Sequence, residues 1–229
     1  MKKIALFLSV VIATAMADTA AAKPDTLSID KTYYPGRRAF YELTPVKKHN
    51  IVMLGNSLTE RGLWGEYFQP AYVLNRGIGG DCVSGMIARL ETILSGKPKA
   101  MFIMAGTNDL IFSKTSYEKL LEQYERMPDI IANIRESPRT KVYIQSLLPL
   151  VEDRQDYFKG KNKRIAGFNA VLREMAERRN LPYIDIWSAI QNNGALPEEF
   201  THDGIHLTGP GYAVWVETLR PYMKPYMKK

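Results

Sequence analysis

The fold class of this chain is indicated most directly by the stretch Ile51-Val-Met-Leu-Gly-Asn-Ser57. Four apolar residues followed by Gly, Asn and Ser predict a short buried strand that ends in a tight turn. In open α/β sheets, the carboxyl ends of the strands border the crevice where the chemistry takes place. Ser57 therefore follows a rigid element with its hydroxyl facing that crevice, which makes it a candidate nucleophile.

Strands and helices alternate along the rest of the chain. Further strands are predicted at residues 73–75, 99–104, 141–148 and 183–187. Apolar residues at helical spacing predict helices at 58–68, 83–94, 161–179 and 210–223. A further long helix is predicted to begin at a capping box formed by Thr115 and Glu118, with a kink or split at Pro128. Parallel strands need crossover connections, so this alternation predicts an α/β fold with five parallel strands and helices on both faces.

Composition excludes several classes of protein. The chain has 229 residues, which suits one domain, and its net charge of +7 is scattered, without a basic, aromatic-interleaved stripe. No nucleic-acid partner is therefore expected. The single cysteine, Cys82, rules out an intrachain disulfide and a cysteine-ligated metal, and three histidines leave little scope for a histidine-rich site. We expect no metal and no cofactor.

The N-terminus has the pattern of a targeting segment. Lys2 and Lys3 precede an apolar run from Ile4 to Ala17, and residues 15–17 and 20–22 both fit an A-x-A cleavage site. The run is too short for a comfortable membrane span, although an uncleaved anchor is an alternative. We therefore predict a signal peptide over residues 1–22, a secreted or periplasmic protein, and no integral membrane segment after cleavage.

The next residues form a different kind of segment. Residues 23–45 are polar with scattered aromatic side chains, which predicts an N-terminal arm lying over the domain, with a short helix around Arg37 to Leu43. The main domain is expected to occupy residues 46–229. We find no internal repeat and no second domain.

Four segments carry the residues with chemical potential. They are Gly55-Asn56-Ser57, Gly79-Gly80-Asp81, Gly106-Thr107-Asn108-Asp109 and Asp203-Gly204-Ile205-His206. Three follow predicted strands, and the fourth precedes the last helix. In a parallel sheet these segments converge on one edge.

Together the segments contain what acyl transfer by a serine requires. A free hydroxyl is a weak nucleophile, so Ser57 needs a base, and His206 can supply it. Asp203 precedes His206 by three residues and can fix the imidazole tautomer. Backbone N–H groups of Ser57 and Gly80 and the side-chain amide of Asn108 are candidate donors to an oxyanion.

The blocks Gly55-Asn-Ser57-Leu, Gly77-Ile-Gly-Gly80-Asp, Gly106-Thr-Asn108-Asp and Asp203-Gly-Ile-His206-Leu, in this order, resemble those of the SGNH (GDSL-type) hydrolase superfamily. The glycine block and Gly-Thr-Asn-Asp most resemble its platelet-activating-factor acetylhydrolase-like, lysophospholipase-like branch. The resemblance covers roughly residues 48–222.

This resemblance implies a flavodoxin-like, three-layer α/β/α sandwich that hydrolyses esters without a metal. It implies that Ser57 is the nucleophile, that Gly80 and Asn108 are oxyanion donors, and that Asp203 and His206 form the Asp-x-x-His pair. Asn56 departs from the family, which has Asp at that position, and puts the local hydrogen bonding in question.

Each block alone has an ordinary structural explanation. Gly-Asn-Ser fits a simple turn, and His206 taken alone fits a satisfied core histidine. The 77–80 loop lacks the G-x-G-x-x-G spacing of a dinucleotide site, which argues against a nucleotide-binding α/β module. His202 is expected to be a loop histidine and Cys82 a small buried hydrophobe. Asp81 and Asp109 are expected to support their turns.

The three tryptophans are expected mostly in the core, although Trp64 could border the crevice. The combined interpretation is an exported serine esterase acting on a small-molecule or glycan ester, with short acyl groups, especially acetyl on carbohydrates, as the expected substrate. The alternatives are a lipase or lysophospholipase acting on lipid acyl esters and a non-catalytic glycan-binding scaffold. The sequence leaves the oligomeric state open.

Overall fold

A single parallel sheet forms the centre of the molecule. The computed structural model describes residues 32–113, 115–133 and 140–227. Its strands are β1 (Ile51–Gly55), β2 (Val73–Gly77), β3 (Ala100–Ile103), β4 (Lys141–Gln145) and β5 (Tyr183–Ile184). They pair in the order β2-β1-β3-β4-β5, and every pair is parallel. The predicted five-stranded parallel sheet is therefore confirmed.

Helices cover both faces of this sheet. In the described residues they are α1 (Tyr33–Leu43), α2 (Ser57–Glu60), α3 (Trp64–Tyr67), α4 (Val83–Ala88), α5 (Leu90–Leu94), α6 (Thr107–Phe112), α7 (Tyr117–Asn133), α8 (Lys161–Arg178), α9 (Ile186–Ile190) and α10 (Gly209–Met223). Short 3₁₀ turns lie at Glu152–Arg154, Asp156–Phe158, Glu198–Phe200 and Lys224–Tyr226.

The strand order explains how the helices divide into two layers. The chain passes from β1 to β2 towards one edge of the sheet, and the connections β2–β3, β3–β4 and β4–β5 all pass towards the other edge. Because crossovers are right-handed, the first connection lies on one face of the sheet and the other three lie on the opposite face. Trp64 of α3 packs against Trp215 of α10 on one side, and Tyr124 of α7 packs against Phe168 of α8 in the other helix layer. Every residue of β1 and β3 is buried, because both faces of the sheet are covered.

The helix predicted over residues 58–68 is wrong as a single element, since α2 and α3 are separated by residues 61–63. The side-chain amide of Asn75 donates to the carbonyls of Thr59, Glu60 and Gly62 at 2.9, 2.9 and 3.0 Å. These carbonyls would otherwise accept the next helical hydrogen bonds, so their hydrogen bonds with the Asn75 amide end α2.

The predicted helix over 83–94 is also interrupted, at Arg89, between α4 and α5. The side chain of Arg89 is buried and turns towards the carboxyl ends of β1 and β2. In contrast, α7 continues across Pro128, so of the predicted kink or split the split does not occur.

Two other predicted boundaries are wrong. Ser116, not Thr115, accepts the hydrogen bond from a backbone N–H of the first turn of α7, that of Lys119 at 3.3 Å. The fifth strand has two residues instead of five, because the Asp185 carboxylate accepts from the Ser188 N–H at 3.1 Å and starts α9 there.

The part of the arm that the structure describes is a helix docked on the domain. α1 begins four residues earlier than the predicted helix at Arg37. The Tyr34 hydroxyl donates to the Gly85 carbonyl at 2.9 Å, and the Tyr41 hydroxyl donates to the Gly77 carbonyl. The predicted signal peptide lies outside the described residues. No helix in the described ranges is long and apolar enough to cross a membrane.

Candidate active site

The five residues predicted to carry the chemistry border one cleft. Because β1 lies between β2 and β3, the connections that leave β1 and β3 diverge and open a crevice at the carboxyl end of the sheet. The cleft there has a volume of about 810 Å³. Its walls include all five predicted residues, Ser57, Gly80, Asn108, Asp203 and His206.

Ser57 is the first residue of α2 and is separated from the end of β1 by Asn56 alone. The side-chain oxygen of Asn56 caps this helix and accepts from the Leu58 N–H at 3.0 Å. An amide oxygen makes this bond as a carboxylate would, so the departure from Asp at residue 56 leaves the turn intact. The Tyr212 hydroxyl of α10 donates to the Leu58 carbonyl at 2.7 Å and holds the same turn from the other side.

A continuous hydrogen-bond chain connects the candidate acid, base and nucleophile. His206 Nε2 lies 2.9 Å from Ser57 Oγ, and His206 Nδ1 lies 2.6 Å from Asp203 Oδ2. The second carboxylate oxygen of Asp203 accepts from the backbone N–H groups of His206 at 2.7 Å and Ile205 at 3.1 Å. This geometry lets His206 accept a proton from Ser57 while Asp203 stabilises the imidazolium.

The loop before α10 gives the Asp-x-x-His pair its shape. The buried Thr201 hydroxyl donates to the His206 carbonyl at 2.8 Å and accepts from the Gly204 N–H at 3.0 Å. Gly204 has a φ of +93°, which a residue with a side chain rarely adopts. The turn therefore brings Asp203 and His206 to the same side of the loop.

The environment adjusts both titratable groups for this role. Burial raises the pKa of Asp203, but hydrogen bonds from the His206 ring and from two backbone N–H groups outweigh burial and hold that pKa at about 2. Burial lowers the pKa of His206, and Arg61 and His202 act in the same direction against the Asp203 carboxylate. Asp203 is thus ionised and His206 neutral at pH 7, as a general base requires.

The candidate oxyanion donors lie across the cleft from this loop. The Asn108 side-chain amide donates one proton to the Asp81 carbonyl at 2.9 Å, which orients the amide and leaves its second proton for another acceptor. Gly80 has a φ of +74°, so the backbone turns there in a way that favours glycine. Ser57, Gly80 and Asn108 all contribute to the cleft wall.

A buried ion pair lies beneath these donors. Arg89 donates from Nε to Asp81 Oδ2 at 2.9 Å, from Nη1 to the Arg76 carbonyl at 2.7 Å and from Nη2 to the Gly55 carbonyl at 3.1 Å. Burial raises the pKa of Asp81 to about 6, with Arg89 opposing the increase, so the pair is ionised at pH 7. One guanidinium thus connects the ends of β1 and β2 to the loop that carries Gly80.

Sequence reasoning did not identify Arg89 as part of the site. The signal was present, because a charged residue inside the apolar stripe of residues 83–94 indicates a buried partner. The Asp109 carboxylate accepts from the N–H of Val83, the first residue of α4, at 3.3 and 3.4 Å, so it supports the segment that follows β2.

The other candidate residues lie outside the hydrogen-bond chain. His202 is exposed, with Nε2 3.6 Å from Asp203 Oδ2. Cys82 is fully buried, and Trp64 is a core residue that does not line the cleft. Among the described residues, His202, Asp203 and His206 form one group with metal-ligating atoms within 4.8 Å of one another. Asp203 Oδ2 and His206 Nδ1 bond to each other and His206 Nε2 bonds to Ser57 Oγ, so a metal at this group would compete with that hydrogen-bond chain.

Comparison with known proteins identifies the class of hydrolase to which this cleft belongs. Residues 53–214 match the model of the GDSL-like lipase/acylhydrolase family, and the chain belongs to that family. It is a carboxylic ester hydrolase of the SGNH type.

The relatives include platelet-activating factor acetylhydrolase IB subunit alpha2. The Rattus norvegicus protein is 29% identical over 175 residues, which cover 73% of this chain and 72% of the relative. The Homo sapiens protein is 28% identical with the same coverage.

Solved structures share the fold. A GDSL-like lipase from Bacteroides thetaiotaomicron superposes with a TM-score of 0.72 at 22% identity, covering 84% of this chain and 97% of the other. A variant of an acetyl-xylooligosaccharide esterase from Geobacillus superposes with a TM-score of 0.62 at 18% identity, covering 78% and 95%. The α/β fold of this chain is therefore that of GDSL hydrolases.

Proposed function

We propose that this esterase cleaves its substrate through a covalent acyl-enzyme formed on Ser57, and that its substrates are short acyl esters, acetyl esters of carbohydrates first among them. The observation that carries the mechanism is the hydrogen-bond chain from Asp203 through His206 to Ser57, with distances of 2.6 and 2.9 Å, at the wall of an open cleft.

In the first half of the reaction, Ser57 Oγ attacks the carbonyl carbon of the ester and transfers its proton to His206 Nε2. The carbonyl oxygen becomes an oxyanion that accepts hydrogen bonds from the N–H groups of Ser57 and Gly80 and from the Asn108 amide. The tetrahedral intermediate then breaks its bond to the alcohol oxygen, which takes the proton from His206 and leaves as the alcohol.

In the second half, water attacks the acyl-enzyme and gives a proton to His206 Nε2. The same donors hold the second oxyanion. Breakage of the bond to Ser57 Oγ releases the carboxylic acid, and the proton on His206 returns to the serine. Asp203 stays ionised throughout and stabilises the imidazolium in both halves.

The cleft wall supports a sugar as the alcohol part. Phe112 and Tyr157 remain 46% and 51% exposed, with ring centroids 5.5 Å apart. Exposed aromatic faces beside a polar site offer a stacking surface for the apolar face of a sugar ring. Arg61 and Gln155 in the same wall can bond to hydroxyl groups.

The names of the proteins compared above support acetyl as the acyl group. The mammalian relatives are acetylhydrolases of platelet-activating factor, and the Geobacillus enzyme is an esterase of acetyl-xylooligosaccharides. The substrates in these two names differ in the alcohol part of the ester, and the exposed residues of the cleft are the ones that can discriminate between alcohols.

A lipid ester is the second candidate substrate. The same aromatic pair, Phe112 and Tyr157, can pack against an acyl or alkyl chain, and the mammalian relatives are named for platelet-activating factor. A non-catalytic glycan-binding protein has less support, because a binding site needs no nucleophile hydrogen-bonded to a base and an orienting acid.

The test is hydrolysis of p-nitrophenyl esters from acetyl to long acyl chains, with the wild type beside Ser57→Ala. We expect the highest kcat/KM on acetyl, a steep decline with chain length, and loss of turnover in the variant. Acetylated xylooligosaccharides and platelet-activating factor then distinguish the two alcohols. Preference for long chains would establish the lipid alternative. Absence of Ser57-dependent turnover, together with no labelling of Ser57 by a fluorophosphonate, would contradict the enzyme mechanism.

We also propose that the protein is exported to the periplasm or secreted. The support is the sequence of residues 1–22, with Lys2 and Lys3 before the apolar run. Expression of the full chain in a bacterium, followed by fractionation and mass measurement, tests it. We expect a periplasmic or secreted form shortened after Ala17 or Ala22, and retention of Val11→Arg in the cytoplasm. A full-length wild-type protein in the cytoplasm would contradict export.

A further inference from the structure

Glu60 lies one turn after Ser57 and joins three segments of the cleft wall. Its Oε2 accepts from the Gly79 N–H at 2.8 Å, and its Oε1 accepts from the Tyr33 hydroxyl at 2.7 Å. Arg37 Nε lies 2.6 Å from the same Oε1 as an ion pair. The Glu60 side chain is only 11% exposed. The carboxylate therefore links α2, the loop after β2, and α1.

The bond to Gly79 acts on the residue directly before the candidate oxyanion donor Gly80. It fixes the orientation of the Ile78–Gly79 peptide, directly before the peptide that carries the Gly80 N–H, so it restricts where that next N–H can point. A Cβ at Gly79 would lie 3.1 Å from Glu60 Oε2 and 3.2 Å from Tyr33 Cε1. The loop thus packs tightly against the carboxylate and the tyrosine ring.

Two side chains of α1 hold the Glu60 carboxylate in place. Burial and the hydrogen bond to Glu60 raise the pKa of Tyr33 to about 12, so its hydroxyl remains a donor at neutral pH. Arg37 supplies the positive charge that compensates Glu60. This compensation matters because an unpaired carboxylate near the oxyanion would oppose the negative charge that develops there.

We propose that Glu60 is a positioning residue for ester hydrolysis. Its carboxylate fixes the backbone at residues 79 and 80 so that the Gly80 N–H faces the oxyanion. Tyr33 and Arg37 of α1 fix the Glu60 carboxylate in turn. The proposal rests on the proposed oxyanion role of Gly80. It makes the N-terminal helix a functional part of the cleft, since two of its side chains support the carboxylate.

The experiment compares Glu60→Ala and Glu60→Gln with the control Glu66→Gln, which changes an exposed glutamate on α3. It measures kcat and KM on p-nitrophenyl acetate and the affinity for a boronic acid that forms a tetrahedral adduct with serine. Thermal unfolding of each variant reports whether the fold is retained.

For Glu60→Ala we expect kcat to fall about tenfold or more, less than the loss of a whole oxyanion donor. We expect KM to change less than about threefold and boronate affinity to fall in parallel with kcat, because a misplaced Gly80 N–H weakens only the tetrahedral state. Glu60→Gln should recover part of kcat, since its amide oxygen can still accept from Gly79. The control should match the wild type.

A second set of variants keeps the carboxylate and disturbs its partners. Gly79→Ala crowds Glu60 from the loop side, and Arg37→Gln removes the compensating charge. Both should lower kcat and boronate affinity together, and Arg37→Gln should have a larger effect than Tyr33→Phe. These variants carry the test if Glu60→Ala does not fold.

Wild-type kcat and boronate affinity in the folded Glu60 variants would overturn the proposal. An increase in KM with unchanged kcat would also overturn it, because that result describes a substrate contact. Failure of the proposed function is a different result, in which the wild type itself shows no turnover that depends on Ser57.

Discussion

The two halves of the candidate active site, the proposed oxyanion donors and the proposed base with its acid, are held in different ways. The oxyanion half, with Gly80 and Asn108, rests on the Asp81–Arg89 pair, whose side chains are 0% and 4% exposed. The base half is a loop in which the Asp203 and His206 side chains are 39% and 18% exposed. Local hydrogen bonds from Thr201 and from backbone N–H groups hold that loop.

This difference matches what each half has to do. Donors to an oxyanion stabilise it best when they are fixed before the reaction, since no reorganisation is then needed. A buried ion pair fixes their backbone but tolerates no loss of either charge. In the proposed mechanism the base gains and loses a proton twice in each cycle, and partial contact with water limits the cost of those changes of charge.

The largest effect that tests this comparison is expected at Asp203. In Asp203→Asn, the amide oxygen can keep the bonds to the backbone N–H groups while its NH₂ faces His206 Nδ1. His206 then carries its proton on Nε2 and cannot accept one from Ser57. We expect kcat to fall on the order of 10⁴-fold with an unchanged fold. Steady-state kinetics and circular dichroism measure both, and a loss below tenfold would show that Asp203 does not fix the tautomer.

The second effect is a loss of stability at Arg89. Arg89→Met leaves the Asp81 carboxylate buried without its cation and removes the bonds to the Arg76 and Gly55 carbonyls. We expect the free energy of unfolding in urea to fall by about 3–5 kcal/mol. Arg220→Met, which breaks an exposed pair with Glu217, is the matched control and should change it little. Equal losses of stability in the two variants would contradict the claim that the oxyanion half depends on a buried ion pair.

The third effect separates the donor from its support. Asn108→Ala should lower kcat on the order of 10²- to 10³-fold with little change in KM, because the lost hydrogen bond forms only with the oxyanion. Asn192→Ala, at an exposed asparagine after α9, is the control. Wild-type kcat in Asn108→Ala would remove Asn108 from the oxyanion hole.

The smallest effect concerns pH. The proposed mechanism requires neutral His206, so kcat/KM should fall as the pH drops below the His206 pKa, which lies below its ordinary value. Arg61 contributes to that lowering. Arg61→Gln should therefore raise the His206 pKa and move the acid limb to higher pH by less than about one unit, whereas Arg61→Lys keeps the charge and should leave the limb in place. A shift to lower pH in Arg61→Gln would contradict the assignment.

Much of the fold followed from local sequence patterns. Strands β1 and β3 are continuous apolar runs, as expected for a sheet covered on both faces, and their positions are easily predicted. The turns after β1, β2 and β3 contained three of the four candidate segments, and the parallel topology brings those turns to one edge. The catalytic roles of Ser57, Asp203 and His206 remain predictions, but the structure brings these residues within hydrogen-bond distance.

Both interrupted helices arose where a distant side chain overrides a local pattern, whereas the wrong boundaries at residues 115 and 185 came from local caps. The side-chain amide of Asn75, on β2, ends α2. The helix predicted over residues 83–94 is interrupted at Arg89, whose side chain forms a buried pair with Asp81. Neither partner is apparent from periodicity. Glu60 was missed for the same reason, because its partners Tyr33 and Gly79 are 27 and 19 residues away in the chain.

The distance along the chain between the proposed nucleophile and the proposed base has a consequence for folding kinetics. Ser57 and His206 are 149 residues apart, and the Tyr212 hydroxyl that holds the nucleophile turn comes from the last helix, α10. Contacts of such long range form late, since closing the intervening loop costs entropy before any contact compensates it. During refolding, recovery of enzymatic activity should therefore lag behind recovery of helical circular dichroism, which makes esterase turnover a reporter of the completed fold.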